Sequence, residues 1–182
     1  TFPGPLSNGD PTVTMESFPT VPFPPAAATA IGATSWTSLR KSLTARLGPY
    51  VNAGKYAAWI GVGGQNDIEF ENDTGASLYA TEVEYAAALR TLGFDYLIAT
   101  TIPPSTGYSA GQETNRTDHN TLLLADAEGA FDAVVDIATV PGLDDAESAN
   151  YSDGLHWTGA GCILAAAAVV PYIEAIPGFK AV

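Results

Sequence analysis

The sequence predicts an α/β domain with a parallel sheet and right-handed crossovers, and three observations carry this prediction. The chain has 182 residues, which suits one domain with a sizeable core. Hydrophobic residues make up 46% of it and charged residues 15%, the composition of a globular protein rather than a disordered one. From residue 26 onward, short apolar runs alternate with helical patterns, and strands that alternate with helices form parallel sheets.

The proline content of residues 1–25 distinguishes them from the rest of the chain. We place the α/β domain at residues 26–182. Seven of the 13 prolines fall in this first segment. Proline lacks a backbone N–H and fixes φ, so neither a long helix nor a central strand is expected there. Thr12–Met15 is the only stretch of the segment that fits a short strand.

Capping residues and glycines delimit the predicted elements of the domain. Thr34 or Ser35 is placed to cap the first helix and Ser77 the second, and Gly48 and Gly93 follow their last residues. Short apolar runs between the helical patterns are interpreted as buried strands. The predicted elements are, in order, a helix ending at Leu47, a strand over Tyr56–Val62, a helix over Leu78–Leu92, a strand over Asp95–Ile102, a short helix over Asp118–Ala127, a strand over Phe131–Ile137 and a helix over Thr158–Ile176.

The charge of the chain argues against polyanionic partners. The formal net charge is −13, so nucleic acid and anionic membrane surfaces are not expected to bind. Residues 1–30 lack a basic start followed by an apolar run, and the apolar stretch Cys162–Val170 is too short to cross a bilayer. Few lysines and many Thr, Ala and Gly residues favour an extracellular or virion-associated protein.

Cysteine and histidine are scarce. Cys162 is the only cysteine, and His119 and His156 are the only histidines. We therefore expect no disulfide framework within the chain and no cysteine- or histidine-rich metal site. Cys162 falls on the apolar last helix and is expected in the core. His119 lies in a polar stretch and is expected to be solvated or to cap a helix.

A glycine-rich turn follows the strand predicted at Tyr56–Val62. Gly64 leads into Gln65, Asn66 and Asp67. Because ligands bind at the carboxyl ends of parallel strands, Asn66 would present its amide at that edge. An amide N–H there can stabilise a developing oxyanion, typically by about 3–4 kcal/mol. The same residue types also form ordinary turns with local backbone bonds.

A second polar cluster, Tyr151–Gly159, lies in the loop before the last helix. Asp153 and His156 are three residues apart, so a turn can bring the carboxylate to the imidazole Nδ1–H. That contact fixes the tautomer and leaves Nε2 available as a general base. A surface turn stabilised by Asp153 is the simpler alternative. The two clusters in one α/β chain indicate an active site more strongly than either alone.

These residues resemble the sequence blocks of the SGNH, or GDSL-type, hydrolase family. Gly64-Gln65-Asn66-Asp67 matches the family's G-x-N-D block. Asp153 to His156 matches its D-x-x-H block ahead of the last helix. Gly32, which leads into a helix, matches the glycine that follows the family's second strand. The matches occur in family order over residues 26 to 176.

The resemblance implies a flavodoxin-like three-layer α/β/α sandwich and a serine esterase. By resemblance, the backbone N–H of Gly32 and the amide of Asn66 donate to the oxyanion, His156 is the general base, and Asp153 orients it. The expected substrates are acetyl or short acyl esters, including acylated carbohydrate. This chemistry needs no metal or cofactor.

The serine of the family's G-D-S block is not found. Gly9-Asp10-Pro11 has proline at the serine position, and neither Ser7 nor Ser17 has the surrounding elements of the family. Thr1-Phe2-Pro3-Gly4 fits the tail that follows G-D-S, which favours a serine and a first strand supplied from outside this chain, by another segment or a separate chain. A nucleophilic Ser7 or Ser17 and a true pseudoenzyme are the alternatives.

A second class of function therefore stays open. The chain could be a catalytically inactive SGNH-like module with a structural or glycan-binding role in an extracellular or virion assembly. The missing serine favours this module, whereas Gly32, Asn66, Asp153 and His156 favour the enzyme. A serine from any chain within hydrogen-bond reach of His156 Nε2 would decide for the enzyme.

Overall fold

The computed structural model describes residues 13–14, 27–28, 58–61 and 63–178. The predicted first helix of the domain lies outside these residues, as do Ser7, Ser17 and Gly32. The described elements are, in chain order, strands β1 (Val13–Thr14), β2 (Ala27–Ala28) and β3 (Ala58–Gly61), helices α1 (Gln65–Glu69) and α2 (Gly75–Leu92), strand β4 (Tyr96–Thr100), helix α3 (Ala110–Ala125), strand β5 (Ala133–Val135), a 3₁₀ turn (Ile137–Thr139) and helix α4 (Gly159–Glu174).

Strands β3, β4 and β5 form a parallel sheet with β4 in the middle. Ala58 of β3 pairs with Tyr96 of β4, and Ile98 of β4 pairs with Ala133 of β5. Helices lie in both connections, because parallel neighbours cannot be joined by a tight turn. The predicted parallel α/β sheet is confirmed, and the carboxyl ends of its three strands lie at one edge. β1 and β2 pair with each other, antiparallel.

Successive residues of β4 pack into two different cores. Leu97 belongs to a buried cluster with Leu89 of α2 and Leu123 of α3. Ile98, the next residue, belongs to a second cluster with Val169 of α4. Because successive side chains of a strand point to opposite faces, helices cover both faces of the sheet. The domain is a three-layer α/β/α sandwich.

Helix α3 begins at Ala110, whereas the sequence pattern predicted its start at Asp118. The hydroxyl of Ser109 accepts the N–H of Gln112 at 3.3 Å, and the side chain of Gln112 accepts the N–H of Ser109 at 2.8 Å. This reciprocal pair is a capping box. The first turns of the helix are polar and lack a hydrophobic period, so they resemble a loop. The S-x-x-Q spacing was the available signal for the true start.

Helix α4 buries one side only. Gly161, Ala165 and Val169, spaced four apart, are buried. Cys162 lies next to this line and is exposed, so its predicted place in the core is wrong. The helix is apolar all round, and its hydrophobic pattern therefore does not indicate which side packs. Within the described ranges, no helix is long and apolar enough to cross a membrane.

Candidate active site

The turn after β3 depends on the glycine at position 64. Gly64 has φ of 99°, in the left-handed region that favours glycine, and it directly precedes α1. A Cβ at this position would lie 2.6 Å from Cδ1 of Ile102, which follows β4. The chain can therefore turn sharply at the carboxyl end of β3 and pack closely on its neighbour.

Helix α1 places Asn66 in its first turn, directly after this glycine. Asn66 is half-buried, and Asp67 is 1% exposed. The end of α1 is held from α3, because Nε2 of Gln112 donates to the carbonyl oxygens of Ile68 and Glu69 at 3.3 and 3.2 Å. Asn66 thus lies at the edge of the sheet where parallel α/β folds bind ligands.

Asp153 and His156 form a hydrogen-bonded pair in the loop before α4. Oδ2 of Asp153 lies 2.8 Å from Nδ1 of His156. The other carboxylate oxygen, Oδ1, accepts the backbone N–H of Leu155 at 3.1 Å and that of His156 at 2.8 Å. The two side chains are held in one short turn, and the carboxylate favours a proton on Nδ1 of the imidazole.

The carboxylate of Asp153 is stabilised in its charged form. Its pKa is lowered from 3.8 to about 2, first by the backbone N–H of His156, then by the imidazole and the N–H of Leu155. Hydrogen bonds donated to a carboxylate favour its ionised state. Asp153 therefore carries a negative charge throughout the neutral range and can stabilise a positive charge on the imidazole.

Backbone hydrogen bonds brace the loop that carries this pair. Tyr151 and Trp157 form an antiparallel bridge, and the N–H of Ser152 donates to the carbonyl oxygen of His156 at 2.8 Å. The hydroxyl of Tyr151 donates to the carbonyl oxygen of Leu143 at 2.7 Å. The imidazole nevertheless stays 73% exposed. Among the described residues, none bonds to Nε2 of His156, so this nitrogen can accept a proton from an incoming group.

The segment that follows β4 touches both polar turns. We call residues 101–109 the β4–α3 connection. Near its start, Ile102 packs against Gly64. Further along, the N–H of Thr106 donates to the carbonyl oxygen of Gly154 at 3.1 Å, and a Cβ at Gly154 would lie 1.9 Å from Oγ1 of Thr106. The connection therefore joins the Asn66 turn to the Asp153–His156 turn, a link that sequence patterns did not reveal.

His119, the histidine outside the Asp153–His156 pair, is fully buried. The expectation that it is solvated or caps a helix is therefore wrong. His119 is 0% exposed, and its Nε2 lies 2.9 Å from Oε2 of Glu82 on α2. The polar start of α3 suggested an exposed helix. The partner lies on another helix, at a separation that no local pattern reveals.

Trp157 packs against the core cluster beneath α4. It also lines an apolar groove of about 320 Å³, together with Ile137, Cys162 and Val169. These contacts pack the loop before α4 against that helix. No group of three potential metal ligands occurs in the described part of the chain.

Three solved structures that align with this fold are structures of esterases. A serine-to-alanine mutant of an acetyl esterase, crystallised with an acetate ion, aligns with a TM-score of 0.64 at 15% identity, over 91% of this chain and 80% of its own. The fold is that of the SGNH hydrolases. A carbohydrate esterase family 3 protein from Talaromyces cellulolyticus aligns with a TM-score of 0.64 at 13% identity, over 93% of this chain and 82% of its own.

A third SGNH-fold structure has a similar likeness. A mutant of an acetyl-xylooligosaccharide esterase from Geobacillus Stearmophilus aligns with a TM-score of 0.60 at 13% identity, over 87% of this chain and 74% of its own. No protein-family model matches the sequence, and no curated protein sequence matches it. At these identities the SGNH likeness concerns the fold, so a function has to be argued from the residues of this chain.

Proposed function

We propose that the chain carries the acid–base machinery of an SGNH-type serine esterase for acetyl or short acyl esters, with acylated carbohydrate as the substrate class. The observation that carries the proposal is the contact of 2.8 Å between Asp153 Oδ2 and His156 Nδ1. It leaves an exposed Nε2 beside a carboxylate that stays ionised. The esterase folds of the three solved neighbours support the reaction class.

The first step forms an acyl-enzyme. A serine Oγ attacks the ester carbonyl carbon while Nε2 of His156 takes the hydroxyl proton, and the carbonyl π electrons move to the oxygen. Asp153 stabilises the imidazolium that results. Collapse of the tetrahedral intermediate breaks the ester C–O bond, and the imidazolium returns the proton to the leaving alcohol. Water then repeats the sequence and releases the carboxylic acid and the free serine.

The oxyanion and the nucleophile complete the proposal. We assign the side-chain amide of Asn66 as one donor to the oxyanion, because Asn66 follows β3 at the edge of the sheet where parallel α/β folds bind ligands. The backbone N–H of Gly32, outside the described residues, is assigned the second. We assign the nucleophilic serine to a segment or partner chain that also supplies the first strand, and Ser7 and Ser17 are the alternatives within the chain.

The test combines the rate of ester hydrolysis with covalent labelling of the nucleophilic serine. The full-length protein should hydrolyse p-nitrophenyl acetate, and His156→Ala should lower kcat by about 100-fold to 10,000-fold, since a general base contributes that much. Glu147→Gln, at an exposed acid of the loop that precedes the turn, is the matched control and should retain the wild-type rate. Equal rates for wild type and His156→Ala would overturn the mechanism. A fluorophosphonate label followed by peptide mapping would identify the serine.

A non-catalytic module is the second candidate, and one observation favours it. Within the described ranges, no serine hydroxyl bonds to Nε2 of His156. If no serine takes the label and no ester is cleaved, the chain is a structural or glycan-binding module. In that case acetylated xylo-oligosaccharide should bind without releasing acetate, as calorimetry would show.

A further inference from the structure

Asn120 of α3 holds the backbone of Ile102 through both of its polar groups. Its Oδ1 accepts the N–H of Ile102 at 2.8 Å, and its Nδ2 donates to the carbonyl oxygen at 2.9 Å. Nη1 of Arg116 donates to the same carbonyl oxygen at 2.8 Å. Ile102 is 0% exposed and Asn120 is 8% exposed. Buried backbone groups need such partners, so Asn120 anchors the start of the β4–α3 connection.

Asn120 is itself fixed by a buried chain of polar contacts. Its Oδ1 lies 3.3 Å from Nδ1 of His119, whose Nε2 lies 2.9 Å from Oε2 of Glu82. Glu82 is 6% exposed and His119 is fully buried. This series of polar contacts thus links α2 through α3 to the β4–α3 connection. Buried networks whose members are satisfied are rigid, so α2 and α3 together hold the connection in place.

We infer that Asn120 is a positioning residue for the proposed active site. It acts through the connection, which packs on Gly64 at Ile102 and bonds to Gly154 at Thr106. Asn66 follows Gly64 closely, and Gly154 lies between Asp153 and His156. A fixed connection therefore sets the place of the oxyanion donor relative to the base. The inference rests on the proposed esterase function.

The test compares two buried positions of one helix. Asn120→Ala removes two of the three bonds to the Ile102 backbone and leaves its buried N–H unpaired, whereas Leu123→Ala removes a fully buried side chain of α3 that packs in the core. Asn120→Ala should lower kcat for p-nitrophenyl acetate by about 10-fold to 100-fold with KM changed less than about threefold, because small misplacements of reacting groups carry penalties of this size. Leu123→Ala should destabilise the fold and leave the kcat of the folded protein near the wild-type value.

Amide hydrogen exchange gives a readout that is independent of activity. The Thr106 amide should lose about tenfold in protection in Asn120→Ala, because only the Arg116 bond then holds the start of the connection. In Leu123→Ala, its protection should fall only as far as that of the core amides of β4. An equal loss of Thr106 protection and of kcat in both variants would overturn the inference and assign Asn120 a purely structural role.

A surface variant keeps the test valid if Asn120→Ala does not fold. Thr106→Pro removes the N–H donated to Gly154 at an exposed position and leaves the core of α3 intact. It should lower kcat about tenfold at nearly unchanged stability, and an unchanged kcat would overturn the inference. An inactive wild type would contradict the proposed esterase, while selective loss of Thr106 protection in Asn120→Ala would still establish the anchor.

Discussion

Gly64 and Ile102 are in such close contact that a methyl group at position 64 would have to displace the Ile102 side chain. The Cβ of an alanine there would lie 2.6 Å from Cδ1 of Ile102, on a backbone with φ of 99°. Gly64→Ala should therefore lower the free energy of unfolding by about 2 kcal/mol, from backbone strain and overpacking together. Urea denaturation measures this change. In the proposed esterase, kcat for p-nitrophenyl acetate should also fall, because Asn66 is displaced.

Gly129→Ala is the matched control for that variant. Gly129 also has a positive φ, of 61°, but nothing lies within 4 Å of its Cβ position. Its substitution should cost about 1 kcal/mol, from backbone strain alone, and leave ester hydrolysis unchanged. Equal losses of stability and activity in the two variants would refute the steric explanation for Gly64.

The orienting role proposed for Asp153 predicts a large effect on the rate of ester hydrolysis. Asp153→Asn keeps the size of the side chain but removes the charge that stabilises the imidazolium, so kcat should fall by about 100-fold to 10,000-fold. Steady-state kinetics with p-nitrophenyl acetate measure it, with Glu147→Gln as the control for loss of one negative charge. A fall of less than threefold would show that His156 acts without this carboxylate.

The ionisation of Asp153 makes stability depend on pH in a defined window. Because its pKa is lowered from 3.8 to about 2 in the folded state, its stabilising contribution is complete above pH 3.8 and disappears as the pH falls through about 2. Carboxyl ¹³C NMR should give a pKa of about 2 for Asp153. In His156→Ala it should rise but stay below 3.8, because the two backbone N–H donors remain. No change in His156→Ala would exclude the imidazole as a cause.

The buried Glu82–His119 contact predicts an asymmetric pair of variants. Glu82→Ala leaves a buried imidazole nitrogen without its partner and should cost about 1–3 kcal/mol of stability. Glu82→Gln retains a polar group at the same reach and should cost less. Thermal or urea unfolding distinguishes them, and equal costs would contradict the prediction, because they would show that an amide cannot replace the carboxylate in the contact at 2.9 Å.

The parts of the fold that follow local rules could be predicted from the sequence. Strand β4 was predicted at Asp95–Ile102 and lies at Tyr96–Thr100, and α2 ends before Gly93 as expected. The start of α2 differs, because Thr74 caps it in place of Ser77 and accepts the N–H of Ser77 at 3.2 Å. Strong periodicity and glycine C-caps are local signals, whereas a choice between two neighbouring caps depends on tertiary packing.

In the candidate site, too, contacts between residues close in sequence were predictable and contacts between distant residues were not. Asp153 and His156 are close in sequence, so their contact was predictable from spacing, and their catalytic role stays a prediction. Asn120 and Glu82 were not identified, because their partners Ile102 and His119 lie on other elements and are brought near only by tertiary packing. The sequence around Asn120 is polar, and no periodic pattern distinguishes a buried amide from an exposed one.

The order of the strands has a consequence for how this chain reaches its native state. Each pairing in the sheet, such as Ala58 with Tyr96 or Ile98 with Ala133, closes a loop that contains at least one whole helix. Closing such a loop costs conformational entropy before the strand pairing contributes any stabilisation, so formation of the sheet should be slow. Helices α2, α3 and α4 contain mainly local contacts and can form first, which makes the docking of β4 between its two neighbours the late step of folding.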